Sequence, residues 1–225
     1  MGPAPSVLVL GASRGIGLEL VRQSVADGCR VLATARDDAG LSRLKAEGAR
    51  ALRLDVTDTA SCAGLAWQID GEAFDQAWLV AGVLGPRTTA LEPPTEADFD
   101  AVMHTNVLAA MRLLPQLDGA LAPQAKVAVI SSKMGSMGLR SSTSSWLYRA
   151  SKAAVNSVLK DASLAWAGRA ICVSFHPGWV RADMGGAGAD LTVEQSATDL
   201  RASLARLTPA DNGGFFNHDG QPLAW

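Results

Sequence analysis

The sequence predicts an α/β chain built on a parallel, doubly wound, seven-stranded sheet with helices on both faces, and three observations carry that prediction. Short apolar runs of strand length trade places with helical segments from end to end. A glycine loop stands between the first such run and the first helix. No repeat, low-complexity tract or linker interrupts the alternation, so residues 1–225 are expected to form a single domain.

Ser6–Leu10 reads Ser-Val-Leu-Val-Leu, the composition of a strand buried on both faces. Gly11-Ala12-Ser13-Arg14-Gly15-Ile16-Gly17 follows, and Ile16–Ala26 reads as a helix. Glycines there allow a tight turn and close backbone approach, while free N–H groups at a helix start can hold a pyrophosphate. Arg30–Ala35 is the second strand, and it runs into Arg36 with no carboxylate at its tip to grip a ribose 2′-hydroxyl. Arg36 and Arg14 instead offer guanidinium groups for a 2′-phosphate, which favours NADPH over NADH.

Leu41–Glu47 reads as a helix and Ala51–Leu54 as the third strand. Asp55 then has two available roles, an adenine contact or the cap of a helix over Thr59–Ile69. Gln76–Val80 is the fourth strand, turned by Ala81-Gly82, and Gly85–Pro94 is a loop able to face a ligand. Thr95 with Asp98 three residues on resembles a capping box for the helix that carries His104 and Asn106. Asn106, polar among Val102, Met103, Val107 and Leu108, either bends that helix, meets solvent or serves a site.

Lys126–Ile130 is the fifth strand and ends in Ser131-Ser132. A Gly/Ser-rich loop leads from there to a long helix, Trp146–Trp166. Ala170–Phe175 is the sixth strand, closed by His176-Pro177-Gly178-Trp179-Val180. Met184–Asp190 has the glycine-rich composition of a mobile lid or a disordered loop, Val193–Leu207 reads as the last helix, and Gly214–Asn217 as the seventh strand.

Chemistry concentrates in the long helix. Tyr148 is the only tyrosine, and Lys152 stands four residues on, the spacing that stacks two side chains on one helical face. An ammonium beside a phenol favours the phenolate and lowers a pKa that otherwise sits near ~10. Ser132, at a strand end upstream, can bring a hydroxyl to the same place.

Composition excludes several classes. A net charge of −2 with 19% charged residues provides no basic footprint for nucleic acid. No apolar run is long enough to span a membrane, and the residues before Ser6 leave no room for a signal peptide, so a cytoplasmic protein is expected. Met1-Gly2 with Ser6 formally fits a myristoylation pattern, but Pro3 and Pro5 make it a chance match. Cys29, Cys62 and Cys172 are odd in number and far apart, as expected of ordinary thiols in a reducing compartment, and the three histidines show no metal-ligand spacing.

The glycine loop, Asp55, Ala81-Gly82, Asn106, Ser132, Tyr148 with Lys152, and Pro177-Gly178, in this order, resemble the short-chain dehydrogenase/reductase family over nearly the whole chain. His176–Gly186 and the tail Gly214–Trp225 resemble its C-factor and sniffer-like carbonyl reductases. The resemblance implies a Rossmann fold and reduction of a ketone or aldehyde to an alcohol, with Tyr148 as proton donor and Ser132 on the developing alkoxide. It also implies that Lys152 lowers the phenol pKa and holds the nicotinamide ribose, and that Asn106 positions a water. By the same resemblance Gly11, Ser13, Arg14, Gly15, Ile16, Gly17, Arg36, Asp55, Val56, Ala81, Gly82, Tyr148, Lys152, Pro177, Gly178 and Val180 hold the cofactor. Met134, Trp146 and Trp179 would wall the substrate pocket, the two tryptophans either stacking on substrate or packing in the core. A homodimer or homotetramer is implied. Two positions depart from the family pattern: Val80 replaces an asparagine and Ala182 a threonine. C-factor-like proteins are associated with signalling, so a cofactor-binding regulator with little turnover is the alternative.

Overall fold

The computed structural model describes residues 4–225, and the Met1-Gly2 pattern lies outside them. Seven strands form one parallel sheet in the order β3-β2-β1-β4-β5-β6-β7. They are β1 (Ser6–Leu10), β2 (Arg30–Ala35), β3 (Arg50–Arg53), β4 (Phe74–Leu79), β5 (Leu121–Ile130), β6 (Ala170–His176) and β7 (Phe215–Asn217). Strand order reverses between β1 and β4, which opens a crevice at their carboxyl ends, the place where open α/β sheets bind ligands.

The helices are α1 (Gly15–Ala26), α2 (Asp38–Ala46), α3 (Thr59–Ala63), α4 (Leu65–Gln68), α5 (Glu96–Met103), α6 (Ala109–Leu113), α7 (Trp146–Ala165) and α8 (Val193–Arg206). Side chains alternate along β1, so Val7 and Val9 join one hydrophobic cluster while Leu8 and Leu10 join the other. The first cluster packs Trp78, Val173 and Phe175 against α1 and α8 through Leu20, Leu200 and Leu204. On the opposite face, Val127, Val129 and Cys172 meet Leu113 of α6 and Val155 and Leu159 of α7. Each fully buried Leu or Val contributes about 1.5–3 kcal/mol, so both faces of the sheet anchor the helices that carry the site.

Several boundaries move for local reasons. The helix expected over Thr59–Ile69 breaks at Gly64 into α3 and α4. Asp58, not Asp55, caps α3, accepting the Ser61 N–H at 2.6 Å. Asp55 instead accepts the Thr57 N–H and hydroxyl at 2.9 and 2.7 Å, so its expected capping role does not hold. α2 begins earlier than Leu41 because the Asp37 carboxylate accepts the Gly40 N–H at 2.7 Å. β5 extends back to Leu121, through Pro123 and a left-handed Gln124 (φ 63°) that disguise its strand character. β6 reaches His176, and α7 and α8 each stop one residue short of the expected end.

Close approach at the crevice dictates one glycine. Gly11 has φ 87°, and a Cβ there would lie 2.7 Å from the Ala81 nitrogen. Gly11→Ala is expected to destabilise the fold by about 3 kcal/mol, combining left-handed strain and overlap. An unchanged urea midpoint would refute this.

Candidate active site

All predicted site residues but Asn106 sit at the carboxyl end of a strand or on the segment or helix that follows it. Gly11, Ser13 and Arg14 link β1 to α1, Gly15, Ile16 and Gly17 open α1, Arg36 follows β2, and Asp55 and Val56 follow β3. Ala81 and Gly82 follow β4, Ser132 and Met134 follow β5, and Pro177, Gly178 and Val180 follow β6. α7 opens with Trp146 and lays Tyr148 and Lys152 against this row.

The start of α7 is fixed from outside the helix. Ser145, its N-cap, adopts a left-handed conformation (φ 50°, ψ 46°) that costs a non-glycine residue about 1–2 kcal/mol. Its N–H donates to the Thr88 carbonyl at 2.9 Å, and the Trp146 indole N–H donates to the Glu92 carbonyl at 2.8 Å. Both partners lie on the β4–α5 loop, so that loop sets where Tyr148 stands. Below it, Gly135 packs so closely that a Cβ would meet the Lys152 carbonyl carbon at 2.7 Å.

Burial governs the chemistry of the pair. The phenol of Tyr148 is pushed up to about 12 by desolvation, with the Ser132 hydroxyl holding the rise back. The Lys152 ammonium donates to the Ile130 carbonyl at 2.9 Å and lies 5.7 Å from the Tyr148 ring centroid. Desolvation drops it from 10.5 to about 8. For the chain alone the phenol is raised, not lowered as the spacing led one to expect, because burial disfavours the charged form of Tyr148 and of Lys152 alike. Burial, then the charges of His218 and Lys133, also push His176 down to about 4, so this imidazole is neutral at physiological pH.

Asn106 lies in a π-helical turn, His104–Leu108, that joins α5 to α6. Such turns widen a helix by one residue and cluster at functional sites. Its amide accepts the Val83 N–H at 2.8 Å and donates to the Val83 carbonyl at 2.8 Å and to Ser151 Oγ at 2.9 Å. The side chain thus clamps the β4–α5 loop onto α7. A cavity of about 10 Å³ beside Asn106, Thr105 and Lys152 is near the lower limit for one water.

A dinucleotide fits the other half of the crevice. A Cβ on Gly17 would lie 2.5 Å from the Gly11 carbonyl oxygen, so the loop is folded tightly onto the start of α1, whose first turn has no side-chain cap. Thr34 steadies the loop, accepting the Gly11 N–H on Oγ1 at 3.0 Å and the Ala12 N–H on its carbonyl at 2.8 Å. At the corner expected to meet a 2′-phosphate, Arg14 and Arg36 have two companions that the sequence reading missed. Arg43 donates to the Ser13 carbonyl at 3.0 Å, and Arg53 donates to the Arg36 carbonyl at 2.9 Å and pairs with Asp38. Pairing of β2 with β3 places Arg53 beside Ala35, a proximity that only the sheet register reveals.

The remaining predicted residues divide. Trp146 and Trp179 are both substantially exposed rather than core. Val80, at the first departure from the family pattern, packs against the α1/α8 cluster, and Ala182, at the second, faces Gly15. Met184–Asp190, expected as a lid or disordered loop, is met by two side chains from the turn after β6: Trp179 Nε1 donates to the Gly185 carbonyl at 3.0 Å, and Arg181 Nε to that of Ala189 at 2.7 Å. The tail was unforeseen as a brace. Ser136 Oγ donates to the Ala224 carbonyl at 2.7 Å, and Trp225 stacks on Phe215 with centroids 5.4 Å apart. A concavity of about 240 Å³ at the opposite end of β5, lined by Leu121, Gln124, Trp166 and Arg169, holds none of this chemistry.

Residues 5–190 match the model of the short chain dehydrogenase family. The chain belongs to that family. It is similar to the carbonyl reductase Sniffer of D. melanogaster (27% identity, TM-score 0.91, 99% of this chain and 100% of that one). It also resembles the NADPH-bound carbonyl reductase from chicken fatty liver (31% identity, TM-score 0.84, all of both chains). The C-signal of Myxococcus xanthus is 34% identical over 151 residues, covering 64% of this chain and 89% of that protein. The chain is thus an NAD(P)-dependent short-chain oxidoreductase with carbonyl reductase and C-factor-like relatives.

Lys152→Met provides a test of the buried charge. A pKa lowered to about 8 from 10.5 corresponds to an ammonium destabilised by about 3 kcal/mol. The unfolded chain holds that proton more tightly, so the penalty is full below pH 8 and fades as pH rises to 10.5. Lys152→Met is expected to melt higher than wild type at pH 7, with the gap closing toward pH 10.5. A variant that melts lower at pH 7 contradicts the assignment.

Proposed function

We propose that this chain reduces bulky, apolar ketones or aldehydes with NADPH, with Tyr148 donating the proton to the carbonyl oxygen. One observation carries the reading: a sealed phenol with its pKa near 12 stands at the end of β5, flanked by Ser132 and Lys152 and beside the glycine cradle. A phenol that keeps its proton at neutral pH is an acid ready to donate, and a developing alkoxide is basic enough to take it. Ser132 offers its hydroxyl to the same oxygen. Lys152 has three N–H donors and uses one on Ile130, which leaves donors for a ribose hydroxyl. NADPH, when bound, supplies the hydride; the protein orients it and keeps water out.

Two further features support the finer parts of the reading. β2 ends at Ala35 and is followed by Arg36, in a corner that also holds Arg14, Arg43 and Arg53, which suits a 2′-phosphate better than a bare ribose. Leu91, Met137, Leu139, Trp146, Trp179 and Met184 are exposed, and all lie on segments that follow β4, β5 or β6. An apolar rim of this kind suits a lipophilic substrate.

Absorbance of NADPH and NADH, followed with a panel from acetone to aryl ketones, tests the proposal. Tyr148→Phe is expected to lower kcat by ~10³ and Ser132→Ala by ~10². Aryl ketones should exceed acetone at least ~10-fold in kcat/KM. Undiminished turnover in Tyr148→Phe would sink the proton-donor role. NADPH binding without turnover of any carbonyl would favour the cofactor-binding signalling reading.

A further inference from the structure

One ion pair joins the glycine loop to the segment after β6. Arg14 Nη1 lies 2.7 Å from Asp183 Oδ2, and both side chains are largely exposed. On the same seam a Cβ added to Gly15 would sit 4.0 Å from the Ala182 methyl, so the two segments face each other with room for about one methyl group between them. Asp183 rides on an anchored support. The Arg181 N–H donates to the Leu191 carbonyl at 2.8 Å, the Leu191 N–H donates to the Trp179 carbonyl at 3.0 Å, and Arg87 from the β4–α5 loop donates to the Met184 carbonyl at 2.7 Å.

The two arginines assigned to the 2′-phosphate are therefore unequal. Arg36 has its nearest carboxylate, Asp37, at 4.0 Å, and Asp37 is already engaged in capping α2. Arg14 is engaged in a close pair. A guanidinium fork turned toward a carboxylate on one segment is not free to grip a phosphate on a ligand, because both anions seek the same N–H donors.

We propose that Asp183 is a specificity-tuning residue that competes with the cofactor's 2′-phosphate for Arg14. The proposal rests on the reading of Arg14 as a 2′-phosphate ligand. A phosphate bears more charge than a carboxylate and displaces it, so NADPH binding frees the segment after β6 from the glycine loop. NADH has no group to compete and binds with the Arg14–Asp183 pair intact. Asp183 thus acts through Arg14, and it narrows the margin between the two cofactors without touching either. Exposed pairs are weak, so the effect is small and screened by salt.

Calorimetric Kd values for NADPH and NADH, measured at low ionic strength on wild type, Asp183→Asn, Arg14→Gln and the double variant, test this. Asp183→Asn is expected to tighten NADPH about two- to fivefold and leave NADH unchanged. In the Arg14→Gln background the same change should do nothing. Equal tightening with and without Arg14 would mean that Asp183 acts only through its general field, which overturns the competition. No tightening in Asp183→Asn, while Arg14→Gln weakens NADPH alone, overturns it too and leaves the phosphate reading standing. If Arg14→Gln leaves the NADPH preference intact, the phosphate reading itself fails, and the competition with it.

Discussion

An ammonium taken out of water sets the constraints around it. Lys152 is buried at the middle of the site with a single carbonyl partner, Ile130, and its neighbours are small of necessity. A Cβ on Gly82 would lie 3.2 Å from its Nζ and 3.3 Å from Asn106 Oδ1. Gly135 is held to the same limit on the other side. These close approaches bring two strand-end loops, those after β4 and β5, against α7, and the dry space they make shifts Tyr148 and Lys152 in opposite directions, each toward its neutral form. A low-dielectric site also strengthens any charge interaction that forms in it.

Asn106 illustrates how the scaffold protects that arrangement. Its amide meets Val83 on both polar edges and reaches Ser151 on α7, so one side chain couples the β4 loop to the helix bearing Tyr148. The π-helical turn that holds it departs from the ordinary helix repeat, and the departure aims the side chain inward. Ser145 is the counterpart at the other end of the loop, a strained residue held by Thr88 where α7 begins.

Around this rigid floor the rim is joined by single contacts of modest strength. Arg87 reaches Met184, Trp146 reaches Glu92, and Arg14 reaches Asp183. The division suits an enzyme that must hold reacting groups still while admitting a large cofactor and releasing product.

By itself the sequence determined the sheet, the glycine loop and the Tyr148–Lys152 pair, because each is written in a local period: alternating strands and helices, a turn between β1 and α1, and four residues along one helical face. Strand ends and caps were legible only where a cap residue announced them, as Thr95 did for α5. Tertiary structure decided what depends on distant residues meeting. Arg53 stands beside Ala35 only through strand pairing, Trp225 braces the Ser136 loop only because the tail folds back, and Asp55 lost its expected cap to Asp58. The direction of the Tyr148 pKa shift was decided there as well: spacing brings an ammonium near a phenol, but only packing determines how much water remains around them, and here exclusion of water pushes the phenol up against the Ser132 hydrogen bond.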